Sequence, residues 1–242
     1  KAITLKHLLS MSAGLQWDED TLPYSDPRNS ERMMDAAKNP VRYALEQPIA
    51  MPPGQNFRYS GGNVAVIGIV IERAVGMKLD AYADKVLFQK LGITKYTWLK
   101  DGKGEPLAAS GLRLRPRDMA KIGIMIAQHG KWNGEQVVPA EWIEASTSPH
   151  TQVSGTAECG VSYGYFWWLG ASCAGGTTTH WIAGIGYGAQ RLWIVPDRDV
   201  VIVSTAGLYA DRKQSDTASR IFRDALIATI LSSTTAPAPP KP

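Results

Sequence analysis

The chain has 242 residues, of which 44% are hydrophobic, so it can bury one sizeable core or two joined layers. Its net charge of +4 is modest, and its basic residues are scattered apart from Arg113, Arg115 and Arg117, so we predict no nucleic-acid partner. No run approaches the roughly 18 apolar residues of a membrane-spanning helix, and residues 1–15 lack the apolar segment of a signal peptide, which leaves the compartment open.

The N-terminal region is predicted to be helical. Leucines at helical spacing predict a short helix over Thr4–Met11. Residues 16–29 are rich in Asp, Pro and Ser and are predicted to form a loop. Two further helices are expected, one over Ser30–Lys38 and one that begins at Pro40, a favourable first-turn residue, and ends before Pro48.

The stretch Pro53–Gly76 carries the strongest pattern in the chain. A small-residue corner leads from Tyr59 through Gly61 into a helix that begins near Asn63 and is apolar nearly all round, which is typical of a buried helix that stops at a C-terminal glycine. Tyr59 is therefore predicted at a tight corner on a rigid support, where reactive groups are often held. The spacing alone favours a half-buried aromatic whose hydroxyl lies in water.

Helices continue up to about residue 150, and strands follow. Helices are predicted over Leu79–Leu91, from Pro116 onward and over Pro139–Ser146. Segments rich in β-branched and aromatic residues predict strands over Tyr163–Leu169, His180–Ala183, Gln190–Val195 and Val200–Thr205. The last two are joined by four residues, a connection short enough only for an antiparallel hairpin.

The order of the elements predicts an α+β fold, a helical region followed by an antiparallel sheet that a C-terminal helix, Lys213–Leu231, backs. We place one domain at residues 1–231, with 1–150 mainly helical and 151–231 holding the sheet and the last helix. Residues Ser232–Pro242 are rich in Pro, Ala and Thr and are predicted to be a flexible tail. Cys159 and Cys173 flank a strand-like segment, which favours free thiols but leaves a disulfide open.

Four segments together resemble the penicillin-recognising serine hydrolases, the group that includes class C β-lactamases, D-alanyl-D-alanine peptidases, related esterases and 6-aminohexanoate-dimer hydrolases. They are ITLKHLLSMSAGL at residues 3–15, PGQNFRYSGGNVAVIGIVIE at 53–72, GLRLRPRDMAKIG at 111–123 and HWIAGIGYG at 180–188. They occur in the order that the family shows. The resemblance implies the family's fold, with its N-terminal strands and nucleophile helix missing from this chain.

The resemblance also implies a set of site residues. Tyr59 matches the family tyrosine that relays a proton beside the catalytic serine, and His180 occupies the cationic position on a sheet strand. The backbone N–H of Ala183 matches an oxyanion donor, and Trp181 lies between these two positions in the substrate-binding segment. Gly61 stands where the family's Tyr-x-Asn or Tyr-x-Ser element ends, so the side chain that often contacts substrate is missing. Without the match, His180 would be interpreted as a histidine at a solvent-exposed strand edge.

The family's nucleophile does not occur in the sequence. Its Ser-x-x-Lys element lies a short way upstream of the segment that here begins at Ile3, and no serine of this chain is followed three residues later by lysine. Thr97 and Lys100 have the spacing, but their segment is predicted to be extended rather than a helix start. We therefore expect the chain to start inside the domain, with the serine, the lysine and their helix outside it.

The resemblance implies a serine hydrolase that cleaves an ester, amide or peptide-like substrate through an acyl-serine intermediate, without a cofactor. We expect this chain alone to be inactive. Its four histidines are too scattered to predict a metal site. Aromatic residues near the predicted strands favour an esterase or linear-amide hydrolase, and the family favours a periplasmic or secreted location. The alternative is a truncated or degenerate relative that binds a ligand without turnover.

Overall fold

A computed structural model describes residues 2–155, 160–172 and 178–209, together with residues 213, 214, 217 and 218. The predicted helix Lys213–Leu231 lies almost entirely outside these residues, and so do the tail Ser232–Pro242, Cys159 and Cys173. Over the part of the chain that is described, no helix is both long and apolar enough to cross a membrane.

The first part of the chain is a cluster of four helices, each of which begins next to a polar cap. They are α1 (Leu5–Leu9), α2 (Ser30–Ala36), α3 (Pro40–Leu45) and α4 (Gly61–Val75). The caps are Thr4, Asn29, Asn39 and Ser60, whose side chains accept hydrogen bonds from first-turn N–H groups that have no partner inside the helix. Gly76 ends α4 with a left-handed φ of 67°, as the sequence predicts.

The second part links these helices to the sheet. Helix α5 (Leu79–Ala83) passes into a π-helical turn over Asp84–Phe88. Strands β1 (Tyr96–Trp98) and β2 (Leu112–Leu114) pair antiparallel, and α6 (Pro116–Ala127) begins at the predicted proline. A small hairpin of β3 (Lys131–Trp132) and β4 (Glu135–Gln136) leads to α7 (Ala140–Ser146).

Within the described residues, the main sheet has six antiparallel strands in the order β10-β9-β8-β7-β6-β5, so consecutive strands are neighbours. Their bounds are β5 (Thr151–Ser154), β6 (Val161–Tyr163), β7 (Trp168–Ser172), β8 (Thr179–Gly186), β9 (Gln190–Val195) and β10 (Val200–Ser204). Val200 pairs with Val195, which gives the hairpin expected of a four-residue connection. Helices followed by an antiparallel sheet confirm the α+β prediction.

One predicted strand is wrong. Residues Tyr163–Leu169 do not run straight but form the end of β6, a turn and the start of β7. The N–H of Gly164 donates to the carbonyl oxygen of Trp167, and Phe166 has a φ of 62°. A Cβ on Gly164 would lie 2.2 Å from the carbonyl oxygen of Ser146, so the close approach of α7 requires glycine here. The aromatic residues around it have high strand propensity, which conceals the turn.

The two faces of the sheet differ in their covering. Helix α6 packs on one face in the main hydrophobic cluster, where it meets residues of β8, β9 and β10, among them Ile182, Leu192, Ile194 and Val201. Because side chains alternate along a strand, their neighbours form the other face. That face is a cluster of Trp168, Trp181, Ala183, Trp193 and Ile202, with the Trp181 and Trp193 rings 4.4 Å apart.

Gly123 is the point at which α6 comes closest to the sheet. A Cβ at this position would lie 2.6 Å from Cγ1 of Val201 and 2.9 Å from Cδ1 of Leu192. Because overfilling a packed core costs about 1–3 kcal/mol, Gly123→Val is expected to lower the free energy of unfolding by that amount in urea titrations. Gly102 has no heavy atom within 4 Å of its Cβ position, so Gly102→Val is the control and should leave stability nearly unchanged.

Candidate active site

Tyr59 lies at the junction between the helical part and the sheet. It precedes Ser60, the cap of α4, and its ring stacks on Trp168 at the start of β7 with centroids 6.0 Å apart and planes at 18°. Tyr163 meets Tyr59 edge-on at 6.5 Å, and Phe57 contacts Tyr163 and Trp168 at 5.2 Å and 5.5 Å. Such aromatic pairs stabilise a junction beyond the area that they bury. The corner is therefore held against the sheet by a cluster of four rings.

A buried carboxylate, Glu19, holds the same corner from the other side. Its Oε2 accepts hydrogen bonds from Nε1 of Trp17 at 2.5 Å and from the N–H of Gly61, the first residue of α4, at 2.8 Å. Its Oε1 accepts from the hydroxyl of Tyr24 at 3.2 Å. Negative charge at a helix N-terminus is favourable, and charge-assisted hydrogen bonds are the stronger ones. Glu19 therefore ties loop 16–29 to the Tyr59 corner.

A second buried acid, Glu31, lies beside Glu19. Glu31 is 8% exposed, and its Oε2 is buried without a hydrogen-bond partner. Burial raises the pKa of Glu31 to about 9, and the neighbouring carboxylates of Glu19 and Asp35 raise it further. Burial also raises the pKa of Glu19, although the bonds from Gly61 and Trp17 oppose this. Of the two acids, Glu19 keeps the negative charge, because it accepts several hydrogen bonds and Glu31 does not.

Burial and these acids together set the protonation state of Tyr59. Burial raises the pKa of Tyr59 above its ordinary value, and the carboxylates of Glu19, Glu31 and Asp20 raise it further. The phenol is therefore neutral at physiological pH and can donate a proton. Using it as a base would require a cation beside it that the described residues do not supply.

The structure groups four of the five predicted site residues. Tyr59 and Gly61 share the corner, and Trp168, on which Tyr59 stacks, is the cross-strand partner of Ala183. Trp181 lies on the same face of β8, two residues before Ala183, and packs on Trp193. These four residues therefore lie around the start of β7, on one face of the sheet.

The fifth residue, His180, lies elsewhere. It points to the face that carries Ile182, because side chains two apart share a face. Its side chain is 67% exposed, and a single oxygen of Asp197, Oδ2, accepts its backbone N–H at 2.8 Å and lies 3.1 Å from its Nδ1. These contacts fix the end of the β8–β9 hairpin, and no described contact joins His180 to Tyr59.

The direction of the Ala183 N–H follows from the same contacts. Successive N–H groups of a strand point to opposite neighbours, and that of His180 points towards β9 and Asp197. The N–H of Ala183 therefore points towards β7, where its partner Trp168 is the first residue of the strand. Ala183 is fully buried at this end of the ladder.

Sequence reasoning missed the acids and their donors. Glu19 belongs to a run of acidic residues in a loop, a pattern that normally indicates a solvated segment, and Glu31 has the ordinary position of an acid in the first turn of a helix. Tyr24, also in the loop, contacts Tyr187 at the β8–β9 corner with centroids 4.7 Å apart. Within the described ranges, no three acidic, histidine or cysteine side chains are grouped as metal ligands.

Comparison with known proteins points to one family. A family model described as beta-lactamase matches residues 1–224. A 6-aminohexanoate-dimer hydrolase from Paenarthrobacter ureafaciens is 29% identical over 154 residues, which cover 61% of this chain and 38% of that protein. Monacolin J acid methylbutanoyltransferase from Aspergillus terreus is 29% identical over 106 residues, which cover 44% of this chain and 25% of that protein. The aligned part is thus less than half the length of these relatives.

Solved structures show the same fold. A candidate 6-aminohexanoate-dimer hydrolase from Bacillus anthracis superposes with a TM-score of 0.77 at 20% identity, covering 94% of this chain and 60% of that chain. Simvastatin synthase from Aspergillus terreus gives a TM-score of 0.66 at 18% identity, covering 94% of this chain and 68% of that chain. The antiparallel sheet and the helices before it are therefore common to these proteins.

The Tyr24 hydroxyl offers a test of the Glu19 site. Tyr24→Phe removes one donor to a buried carboxylate while it keeps the ring contact with Tyr187, and it is expected to lower the free energy of unfolding by about 1–2 kcal/mol. Urea titrations would measure the change. Tyr82→Phe is the matched control, expected near zero, and an equal loss in both variants would contradict the role of Glu19 as an acceptor.

Proposed function

Because this chain belongs to the beta-lactamase family, we propose that it is part of a serine hydrolase that cleaves an ester or linear amide through an acyl-serine intermediate. The observation that carries the proposal is the Tyr59 corner. A neutral phenol stands at the start of a buried helix, fixed by stacking on Trp168 and by the carboxylate that binds the N–H of Gly61. A rigid phenol of this kind suits proton transfer between a nucleophile and a leaving group.

In this proposal the nucleophile lies outside these 242 residues, since no serine of the chain has lysine three positions later. We place a Ser-x-x-Lys on such a segment, with its serine within hydrogen-bond reach of the Tyr59 hydroxyl. Its lysine would supply the cation that the described surroundings of Tyr59 lack and would lower the pKa of the phenol, opposing the effect of the buried acids. Tyr59 could then take the serine proton and return it to the leaving group.

The surroundings of Tyr59 support a substrate with an apolar acyl or leaving group. Phe57, Tyr163 and Trp168 surround the phenol, and their rings would favour apolar contact. The relatives are named as a 6-aminohexanoate-dimer hydrolase and a monacolin J acid methylbutanoyltransferase. We therefore favour an open-chain ester or amide over a β-lactam, with no cofactor.

The oxyanion donor remains the N–H of Ala183 in this proposal. Because that group points towards β7, the role requires the terminal Trp168–Ala183 pair of the ladder to part when substrate binds. Oxyanion donors have to face the developing charge at hydrogen-bond distance. The stacked Tyr59 ring lies on the same pair, so movement of Trp168 would couple the donor to the proton relay.

A second candidate is a relative that binds its ligand without turnover. Gly61 favours it, because it departs from the family pattern at a position whose side chain often contacts substrate. It would use the same aromatic surroundings of Tyr59 as a binding surface. Covalent chemistry separates the two functions, since a ligand-binding relative forms no acyl-enzyme.

The enzyme is expected to react with a fluorophosphonate probe only when the chain is extended upstream to a Ser-x-x-Lys. In that extended protein Tyr59→Phe should slow labelling and turnover of an ester by about 10²–10⁴-fold, because the relay contributes that factor. Tyr82→Phe should leave both rates unchanged. An adduct on the 242-residue chain would refute the placement of the nucleophile, and an extended protein that fails to react would refute the hydrolase.

His180 can be tested against its structural role. If it acts electrostatically on substrate, His180→Ala in the extended protein lowers kcat/KM by at least about tenfold, while Asp197→Ala does not. If it only fixes the hairpin, both variants lower the melting temperature by similar small amounts, as expected of exposed contacts, and kcat/KM follows the folded fraction. Kinetic and thermal-unfolding measurements on the two variants decide between these roles.

A further inference from the structure

The carboxyl group of Glu31 occupies the space that a side chain at position 61 would need. A Cβ on Gly61 would lie 1.9 Å from Oε2 of Glu31, 2.6 Å from its Cδ and 2.8 Å from its Oε1. Gly61 is not among the residues with positive φ, so its backbone conformation does not require glycine. The neighbouring acid does. Glu31 therefore replaces, from α2, the side chain that is missing from the Tyr59 corner.

An ionised Glu31 would be poorly accommodated in this place. Its Oε2 is buried without a donor, and among charged groups the carboxylate of Glu19 acts on it most strongly. An unpaired buried charge beside a like charge is costly. A protonated Glu31 removes both penalties, because its O–H can donate to Glu19, which already accepts from Trp17, Tyr24 and Gly61 and so keeps the negative charge.

We propose that Glu31 is a positioning residue whose protonated carboxyl donates a hydrogen bond to ionised Glu19, so that one proton shared by the two acids holds the Gly61 corner and with it Tyr59. The geometry ties the pair to the corner twice. The N–H of Gly61 binds Glu19, and the Cα of Gly61 packs against the carboxyl of Glu31. The positioning role rests on the function proposed above, whereas the shared proton does not.

Loss of the proton would leave two adjacent carboxylates at the start of α4. The other acid that acts on Glu31 is Asp35, one helical turn further along α2, with Arg32 as the cation near Asp35. Asp20 acts on Glu19 in the same sense. Arg42 of α3 and Arg73 of α4 line the same cavity as Glu31. The charges that act on Glu31 most strongly are nevertheless the carboxylates of Glu19 and Asp35, so deprotonation of Glu31 is expected to loosen the corner.

The groups that face Tyr59 complete the electrostatic surroundings. Glu19, Glu31 and Asp20 raise its pKa, and the phenols of Tyr24 and Tyr163 are themselves held neutral by burial and by Glu19. Glu31 is thus the first of these groups to lose a proton as the pH rises above neutrality. A change at the corner in that range that Glu31→Gln abolishes is therefore assigned to Glu31.

The sign of the pH effect follows from the direction of the shift. The folded protein holds the Glu31 proton up to about pH 9, whereas the unfolded chain loses it near its ordinary value of 4.5. The contribution of this proton is therefore complete at acid pH and is lost as the pH rises through that interval. The thermal unfolding midpoint of the wild-type chain should therefore decrease as the pH is raised from about 5 to about 9.

The first experiment measures this pH dependence in the 242-residue chain by thermal unfolding. Glu31→Gln keeps the shape of the side chain and an N–H donor but cannot titrate. The unfolding temperature of this variant should therefore decrease less with rising pH, and at alkaline pH it should be higher than that of wild type. Glu141→Gln, at an exposed position, is the control and should keep the wild-type slope. A Glu31→Gln variant with an unchanged slope would overturn the proposal.

Infrared spectroscopy detects the proton directly. At neutral pH the wild-type chain should show the C=O stretch of a protonated carboxylic acid, and Glu31→Gln should lose it while Glu141→Gln retains it. Absence of the band from folded wild-type protein would exclude the shared proton.

A double-mutant cycle tests the packing of the carboxyl without any titration. Gly61→Ala should lower the unfolding midpoint strongly in the wild-type background, because the new methyl group meets Glu31. In a Glu31→Ala background the same change should have little effect, since the space is free. An equal loss in both backgrounds would mean that the carboxyl moves away easily, and it would refute the assigned position.

Kinetics separate positioning from stability alone. In the extended protein, kcat/KM should fall at alkaline pH for wild type and show a flattened alkaline limb for Glu31→Gln, under conditions in which both remain folded. Parallel pH profiles would overturn the positioning role. If no variant reacts with the fluorophosphonate probe, the hydrolase and the positioning role fall together, while unfolding and infrared data still decide the shared proton.

Discussion

The hydrogen bond between the N–H of Gly61 and the carboxylate of Glu19 is the contact on which the organisation of the helical region depends. It joins the first residue of a buried fifteen-residue helix to a loop acid that also accepts hydrogen bonds from the side chains of Trp17 and Tyr24. A charge in this place is tolerated because three donors and the helix N-terminus surround it. The buried acid therefore orders an irregular loop that has little regular structure of its own.

Aromatic ring contacts connect this part of the helical region to the sheet. Tyr24 reaches Tyr187 at the β8–β9 corner, and Tyr59 reaches Trp168 at the start of β7. Both junctions lie towards the same end of the central strands, because Trp168 at the start of β7 pairs with Ala183 near the end of β8, and Tyr187 directly follows β8. Rings suit this purpose because each has few rotatable bonds and buries a large area. The hydroxyl group of Tyr59 is thereby held where the helical region meets the sheet.

The parts of the fold that could be predicted from the sequence are those set by local patterns. The buried helix after Tyr59, its stop at Gly76, the start of α6 at Pro116 and the β9–β10 hairpin follow from periodicity, glycine, proline and connection length. The turn at Gly164 could not be predicted, because its cause is the approach of Ser146 from a helix that is distant in the sequence. The acids of the site could not be predicted for the same reason, since the burial of Glu19 and Glu31 depends on tertiary packing. For His180, the order of motifs indicates a strand but not which face the ring takes, and in the structure the ring lies beside Asp197.

The glycine at position 61 shows why a missing side chain is a weak argument against function. Considered alone, Gly61 removes a polar group from the corner and favours a degenerate relative. In the structure the vacated volume is filled by the carboxyl of Glu31, a group that arrives from α2 and meets the same corner. Because Glu31 can hold a proton next to an ionised Glu19, the site retains both a donor and an acceptor where the side chain would have stood. The polar character of the corner thus depends on which groups occupy the space, whichever segment supplies them.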